Sequence, residues 1–303
     1  MLNIKKLSII ALLLILVGVV GSVVTYNLIQ KPKWETKEIE IKDNNFEGIE
    51  ISVGDANVEL IPTDKSSTLI EISGHNIQNT ISATVKESIL SIVNKNRKQK
   101  LYSLDFVTKS TTLKVYVPQK LYNTLQVQSD NGSFSAKDIE TSEVNVKANN
   151  GAIELKDINA TFITIKSDNG RITADNLVGT TVKAIANNGR IQFKQITADS
   201  VSIDSDNGRI ELEDIKGQLF AKANNGRIEL LAESFDYPID ITTDNGRIDL
   251  QTANEPTNAT IIAQATNGSN TIFGEKKSHA VFGLGELPIT LSSKNGKITV
   301  GNR

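Results

Sequence analysis

Residues 201–215 read Val-Ser-Ile-Asp-Ser-Asp-Asn-Gly-Arg-Ile-Glu-Leu-Glu-Asp-Ile, and this stretch decides the fold. Apolar and polar residues alternate before the Asn207-Gly208 pair and again after it. A period of two residues is typical of a strand with one buried face, so the stretch predicts two short strands joined at the pair. The same arrangement surrounds Asn150 and Asn169, which identifies it as a repeat unit.

The Asn-Gly pair recurs at an almost constant interval. Successive asparagines from Asn131 to Asn207 are 19 residues apart, and the later intervals, ending at Asn295, are 18, 20, 22 and 28 residues. A fixed short period of strand-only units predicts a single-stranded β-solenoid (β-helix) with about 19 residues in each coil. The later drift predicts an array that loosens toward a C-terminal cap. The repeat positions are Asn131, Gly132, Asn150, Gly151, Asn169, Gly170, Asn188, Gly189, Asn207, Gly208, Asn225, Gly226, Asn245 and Gly246.

The alternation also predicts where the side chains of one unit point. If Val201, Ile203 and Ser205 face the core, Asn207 faces the core as well. Gly208 then supplies the positive φ that a sharp corner needs. Asparagines of successive coils, about 4.8 Å apart, would form a buried ladder of amide hydrogen bonds.

Charged positions flank each pair. The residue before the asparagine alternates strictly between acid and amide from Asp130 to Asp244, which separates carboxylates that would repel each other in a stack. The residue after the glycine is arginine in five successive units. Pairing between the two rows would contribute only about 0–1 kcal/mol for each exposed pair. The expected surface ladder comprises Asp168, Arg171, Arg190, Asp206, Arg209, Arg227, Asp244 and Arg247.

An antiparallel meander is the alternative architecture, because Asn-Gly between alternating apolar residues is also a strong hairpin signal. A hairpin centred on Asn207 would place Asp204 opposite Glu211, which is an unfavourable pair. The constant period favours the solenoid.

The N-terminal segment predicts a membrane anchor. Residues 1–6 contain Lys5 and Lys6 and are expected in the cytoplasm, and the apolar run over residues 7–29 would be about 35 Å long as a helix. The prediction is a single-pass membrane protein whose C-terminal domain is extracytoplasmic. A cleaved signal peptide is the alternative, since small residues occur near position 20.

The remaining chain divides into a linker and two β-rich regions. Residues 30–38 are the linker, and residues 39–118 carry alternating apolar runs without the repeat, which predicts an N-terminal cap over the open end of the solenoid. Within this cap, Val53–Leu60 resembles a degenerate repeat unit. Residues 119–303 are the repeat solenoid with its C-terminal cap, so the fold class is all-β behind one transmembrane helix.

Composition excludes several functions. The net charge is -2 and aromatic residues make up 5%, which argues against nucleic acid as a partner. There is no cysteine, and neither histidine lies in a metal-binding spacing. No nucleophile, phosphate-binding or dinucleotide motif occurs. We therefore expect no catalytic residue, no metal and no cofactor.

The stretch Leu113-Lys-Val-Tyr-Val-Pro118, the repeated Ser-Asp-Asn-Gly-Arg-Ile units and the single N-terminal span resemble a known family. The family that they resemble is the bacterial putative-adhesin domain family, and in particular the LiaG-like membrane-anchored proteins of the cell-envelope stress group. The resemblance implies a β-solenoid and a link to envelope stress, and it brings no catalytic residues.

These observations predict a non-catalytic scaffold or binding module of the cell envelope. The expected partners are the membrane, through the N-terminal helix, and cell-wall polymer or envelope proteins. The alternative is a glycan-acting lyase or hydrolase on a β-helix at the cell wall. That activity would need acids, bases or metal ligands clustered where the repeat is broken, and residues 254–286 are the place left for such a cluster.

Overall fold

The computed structural model describes residues 4–28, 34–75, 77, 81–94 and 111–303. Within these ranges one helix, α1 (Ile4–Leu28), precedes a chain built of β-strands, so the prediction of a mostly β fold is confirmed. The strands before the regular repeat are β1 (Trp34–Ile41), β2 (Gly48–Val53), β3 (Ala56–Thr63), β4 (Thr68–His75), β5 (Ile81–Lys86), β6 (Ile89–Asn94), β7 (Thr111–Pro118) and β8 (Leu121–Ser129). The long repeat strands are β9 (Phe134–Ala148), β10 (Ile153–Ser167), β11 (Ile172–Ala186), β12 (Ile191–Ser205) and β13 (Ile210–Ala223). The C-terminal strands are β14 (Ile228–Ala232), β15 (Ile239–Thr243), β16 (Ile248–Thr252), β17 (Ala259–Ala265), β18 (Ser269–Ile272), β19 (His279–Phe282), β20 (Leu287–Ser293) and β21 (Lys297–Asn302).

The long repeat strands are stacked as parallel coils. β9 to β13 pair in chain order and always in parallel, with Ile153 opposite both Phe134 and Ile172. Consecutive parallel strands require the chain to travel around one full circuit between them, so each unit is a coil. The meander alternative is therefore wrong. A one-residue shift in the pairing of β12 with β13, between Thr197 and Ser200, accounts for the later 18-residue interval.

Each long strand bends twice, so one coil has three sides. In the coil after Asn150, side A is 153–156, side B is 158–160 and side C is 162–167, and the pairing is interrupted between them. The bend between sides A and B places one non-glycine residue of every long strand at a positive φ of 51–56°. Aspartate and asparagine adopt this left-handed conformation more readily than other side chains. We name these residues the A–B corner row: Asp138, Asp157, Asn176, Gln195 and Asp214.

Inward side chains form apolar columns along the stack. Ile153, Ile172 and Ile191 lie one above another and are at most 1% exposed. The column continues through Ile210, Ile228, Ile248 and Ile298. Full burial of one such side chain contributes about 1.5–3 kcal/mol, so these columns are the main source of stability.

Residues 39–118 add a coil and then extend the sheet beyond it. β2 lies parallel to β8, and β3 lies parallel to β7 and β9, so residues 48–63 form the first coil of the stack. The likeness of Val53–Leu60 to the repeat reflects this position. Beyond this coil, β6 and β5 extend side C, while β7, β4 and β1 extend side A. The chain thus leaves the stack after its first coil and returns at β8.

The C-terminal coils do not stack in chain order. β20 lies between β15 and β17, and β21 lies between β16 and β18. The chain builds the terminal coil with β17 and β18 and then turns back to fill the position that it skipped. The expectation of a loosening array is wrong, because the 22- and 28-residue intervals come from this reversed order while the coils keep their register.

Side B is confined to the middle of the stack. At the N-terminal end of the stack, Tyr122 is 1% exposed. The hydroxyl of Tyr122 donates to the carbonyl of Pro118 at 2.5 Å. Burial raises the pKa of this hydroxyl above its ordinary value. At the C-terminal end, the connection 233–238 contains no strand, and the buried ring of Phe235 joins the core there. The units from Asn225 onward keep only sides A and C.

The predicted anchor coincides with α1. The side chains of residues 8–23 are exposed, including Leu12 and Leu14. Nowhere in the described ranges is a helix both long and apolar enough to cross a membrane. Residues 1–3 and 29–33, which belong to the predicted N-terminus, span and linker, lie outside the described residues, as do the side chains of 4–7 and 24–28.

Candidate functional site

The Asn-Gly turns form one edge of the stack, which we name the Asn edge, where side C passes into side A. Each asparagine Nδ2 donates to the Oδ1 of the asparagine one coil nearer the N-terminal end, at 2.7–2.9 Å. Asp55 ends the row, and its Oδ1 accepts from Asn131 at 2.6 Å. The predicted amide ladder is present, and in stack order it runs through Asp55, Asn131, Asn150, Asn169, Asn188, Asn207, Asn225, Asn245, Asn295 and Asn267.

The ladder lies on the surface and not in the core. Asn207 is exposed and Gly208 is buried, which is the reverse of the prediction from alternation. Asp206 and Asn207 both face outward, and two consecutive outward residues shift the alternation by one position. The prediction of inward asparagines is therefore wrong, and the ladder orders an exposed edge.

The turn glycines are required because the backbones of successive turns approach closely, and not because these glycines have a positive φ. A Cβ on Gly208 would lie 1.7 Å from the carbonyl oxygen of Gly189, far inside van der Waals contact. Positive φ occurs at other glycines of the described chain, such as Gly217, and not at Gly208. The predicted positive-φ corner is therefore wrong. Each turn backbone stacks directly on the one before it, and only glycine leaves room for that.

Buried serine hydroxyls form hydrogen bonds with the turn backbone in alternate coils. Ser167 Oγ accepts from the amide of Gly170 at 2.8 Å, and Ser205 Oγ accepts from the amide of Gly208 at 3.0 Å. Alanine takes this inward position in the coil between them, at Ala186. The hydroxyls satisfy backbone groups that water cannot reach, which avoids a desolvation cost.

The row before the ladder pairs acids with amides, as the alternation predicts. In three pairs the amide Nδ2 of one coil donates to the carboxylate of the preceding coil at 2.7–3.1 Å. These pairs are Asn149 with Asp130, Asn187 with Asp168, and Asn224 with Asp206. The last acid, Asp244, has Lys294 as its neighbour in the stack, with Nζ 2.9 Å from Oδ1.

The arginine row pairs with acids of side A. Arg209 Nη1 lies 3.2 Å from Glu211 Oε1, and Arg190 of the preceding coil lies 3.7 Å from the same oxygen. Within the described chain no acid lies in salt-bridge distance of Arg171. The predicted Asp–Arg pairing is wrong, because the arginines follow the glycine and extend over side A, on the far side of the ladder from the aspartates.

Asp249 is the most buried acid of this surface. It is 4% exposed, and its Oδ2 lies 3.0 Å from Arg227 Nη2 and 2.8 Å from Arg247 Nη2. Arg227 also contacts Glu229. The two arginines thus hold one carboxylate from successive coils, and the charges of this part of side A are neutralised within the protein.

The irregular stretch 254–286 forms the last coil and a short hairpin. Phe273 and Phe282 pack edge to face there, with ring centroids 5.4 Å apart. Across the described residues no group of three or more His, Cys, Asp or Glu side chains is placed to hold a metal ion.

A second surface, which the sequence reasoning missed, follows the A–B corner row. Asp138 and Asp157 line a cavity of 340 Å³ beside Lys120. A larger cavity of 680 Å³ is lined by the other three members of the row, Asn176, Gln195 and Asp214, next to the connection 233–238. The signal that could have found this surface is the recurrence of Asp or Asn seven residues after the ladder asparagine.

Comparison with known proteins supports the architecture. A family model described as Toastrack DUF4097 matches residues 46–301. No curated protein matches the chain. A solved structure of a putative adhesin from Parabacteroides merdae ATCC 43184 has a TM-score of 0.55 at 16% identity, and the match covers 90% of this chain and 97% of that chain. For a putative lipid binding protein from Parabacteroides distasonis ATCC 8503 the TM-score is 0.53 at 19% identity, covering 90% of this chain and 98% of that chain. At these identities the likeness shows the fold alone.

Proposed function

The chain belongs to the Toastrack DUF4097 family, and we propose that it is a non-catalytic binding module or scaffold of the bacterial cell envelope. The observation that carries the proposal is the ladder of the Asn edge, which runs unbroken from Asp55 to Asn267. It ties the coils into a rigid rod of about 45 Å, at about 4.8 Å per coil. A rigid rod with a regular surface is suited to hold a binding face at a fixed distance from its attachment point.

The charged groups of the Asn edge and of the adjoining side A support a non-catalytic role. Their carboxylates are engaged by neighbours, such as Asp206 by Asn224 and Asp249 by two arginines. A hydrolytic site needs an acid and a base that are free to exchange protons with a substrate. Carboxylates held in structural pairs are poorly suited to that task.

The membrane attachment in this proposal rests on the N-terminal segment. Its apolar run covers residues 7–29 behind Lys5 and Lys6, and the described part of α1 presents exposed apolar side chains. Exposed apolar surface of this extent needs a lipid or protein cover. We place the rod of β-coils outside the cytoplasmic membrane, and the resemblance to LiaG-like proteins suggests a part in envelope stress.

Membrane fractionation and a wall-binding assay test the proposal together. The full-length chain should sediment with membranes, and a variant without residues 1–33 should not. Membrane-held protein incubated with purified wall glycan should retain wall polymer without releasing new reducing ends. Cross-linking in cells should capture envelope proteins on the same chain. Reducing ends that appear with the native chain and vanish in a carboxylate variant would establish the glycan-acting enzyme instead.

A further inference from the structure

The 680 Å³ cavity lies where side B ends. Asn176, Gln195 and Asp214 of the A–B corner row line it, and the connection 233–238 forms its other wall. Two aromatic residues of this connection have opposite environments, since Phe235 is 3% exposed in the core and Tyr237 is 40% exposed at the cavity. The missing strand of side B thus leaves a notch in the rod with one aromatic ring at its wall.

Within the described part of the chain, two polar side chains of this notch, those of Gln195 and Thr197, are not bonded to a neighbouring coil as the amides of the Asn edge are. Asn176 Nδ2 donates to Asp157 Oδ1 at 2.7 Å, but the ladder stops there. Neither the Gln195 amide nor the Thr197 hydroxyl makes a side-chain hydrogen bond within the described residues. An amide offers donors and an acceptor, and a hydroxyl offers both, so together they match a ligand rich in hydroxyl groups.

Glutamine is also an unusual residue for the left-handed backbone conformation at position 195. Its φ is 53°, and the other four members of the row are Asp or Asn, whose short side chains favour the left-handed region. Glutamine does not share that advantage. Its side chain is one methylene longer than that of asparagine and lines the cavity, which points to a role beyond forming the corner.

The charge of the notch limits the ligand class. Asp214, Glu233 and Asp236 line the cavity with Lys216 as the opposing cation. Ser234 donates to Asp236, and Arg303 lies 3.9 Å from Asp214, at the limit of a salt bridge. Three carboxylates against the two cations Lys216 and Arg303 leave one negative charge in excess. This excess disfavours phosphate- or carboxylate-bearing polymers and favours an uncharged ligand.

We propose that this notch binds an uncharged carbohydrate, with Tyr237 stacked on one sugar ring and Gln195, Thr197 and Asp214 bonded to its hydroxyls. A tyrosine ring provides apolar area at low entropy cost, which suits the C–H face of a sugar. Neighbouring coils are about 4.8 Å apart, similar to one sugar unit of an extended chain, so Asn176 can contact the next unit. The inference deepens the proposed function and rests on it, because it names the ligand class of the binding module.

Binding of defined tetrasaccharides to the full-length chain in nanodiscs tests the inference. The uncharged probes are chitotetraose, cellotetraose and maltotetraose, and the anionic probes are tetragalacturonate and poly(glycerol phosphate). Titration calorimetry and saturation-transfer NMR should detect at least one uncharged probe and neither anionic one. Tyr237→Ala should weaken binding roughly tenfold or more, as expected for a central aromatic contact. Tyr237→Phe keeps the ring and should bind like the native chain.

Phe162→Ala is the matched control, because Phe162 is 53% exposed but does not line the notch. This variant should bind like the native chain. If the native chain retains whole wall material but no uncharged probe, or if Tyr237→Ala binds as well as the native chain, the inference is overturned while the proposed function stands. Tyr237-dependent binding of an anionic probe would also overturn it. Tyr237-dependent binding of an uncharged probe without retention of wall material would keep the carbohydrate site and reject the envelope role.

Discussion

The Asn edge and the A–B corner row both follow the repeat along one rod, but their polar groups differ in what they bond. At the Asn edge, each amide from Asn131 to Asn267 donates to the coil on its N-terminal side, and the flanking acids have amide or cationic neighbours. Along the corner row Asn176 donates to Asp157, and among the residues that the structure describes this bond has no counterpart at Gln195. A periodic row that satisfies itself stabilises the rod, whereas a row with unbonded groups beside a cavity is available to a ligand.

The largest expected effect tests how closely the turns of the Asn edge stack. Gly208→Val places a Cβ 1.7 Å from the carbonyl oxygen of Gly189, so neighbouring coils must separate. We expect a loss of about 3 kcal/mol or more, above the usual range for overpacking. Thermal and denaturant unfolding measure it. Gly301→Ala is the control, because nothing lies within 4 Å of its added Cβ. Equal stabilities of the two variants would disprove the close-approach account.

The next effect concerns the buried charge of side A, next to the Asn edge. Asp249→Ala removes the carboxylate that two arginines share at 2.8–3.0 Å, so both lose a charge-assisted bond. We expect a loss of about 1.5–3 kcal/mol. In Glu213→Ala, an exposed pair with Lys194 is lost, and the change should stay below about 1 kcal/mol. A cost for Glu213→Ala as large as that for Asp249→Ala would show that burial does not set the strength of these pairs.

Position within the ladder should set the cost of removing an amide. Asn188→Ala removes two ladder bonds, to Asn169 and from Asn207, whereas Asn267→Ala removes one at the end. At about 1 kcal/mol for each bond, the middle variant should lose roughly twice as much stability as the terminal one. Urea unfolding of the two variants provides the comparison. A larger loss at the end than in the middle would argue against a cooperative row.

The smallest effect separates the two surfaces most sharply. Gln195→Asn installs a residue that favours the left-handed conformation, so stability should rise by a few tenths of a kcal/mol up to about 1 kcal/mol. The shorter amide should at the same time weaken binding of the uncharged tetrasaccharide. Calorimetric unfolding and titration on the same sample measure both quantities. Reduced stability together with unchanged binding would assign Gln195 a purely structural role.

The sequence predicts the coils well because the apolar alternation of units such as 201–215 and the constant interval both follow from stacking. It mispredicts the direction of Asn207, since two consecutive outward residues in a turn break the alternation without any compositional mark. The place of Asn295 between Asn245 and Asn267 could not be predicted, because every unit carries the same inward columns and fits any neighbouring coil. The notch beside Tyr237 depends on where side B ends, which only the three-dimensional stack defines.

Stack order is the central claim, and disulfide trapping measures it directly because the chain has no native cysteine. In Asp244→Cys/Lys294→Cys the two positions lie on adjacent coils, as the 2.9 Å contact between the native side chains shows. Their backbones are about 4.8 Å apart, within disulfide range, so mild oxidation should cross-link them rapidly. In Asp244→Cys/Thr266→Cys the positions are two coils apart, roughly 10 Å, and should stay reduced. Cross-linking of the second pair in preference to the first would place the coils in chain order and contradict the account.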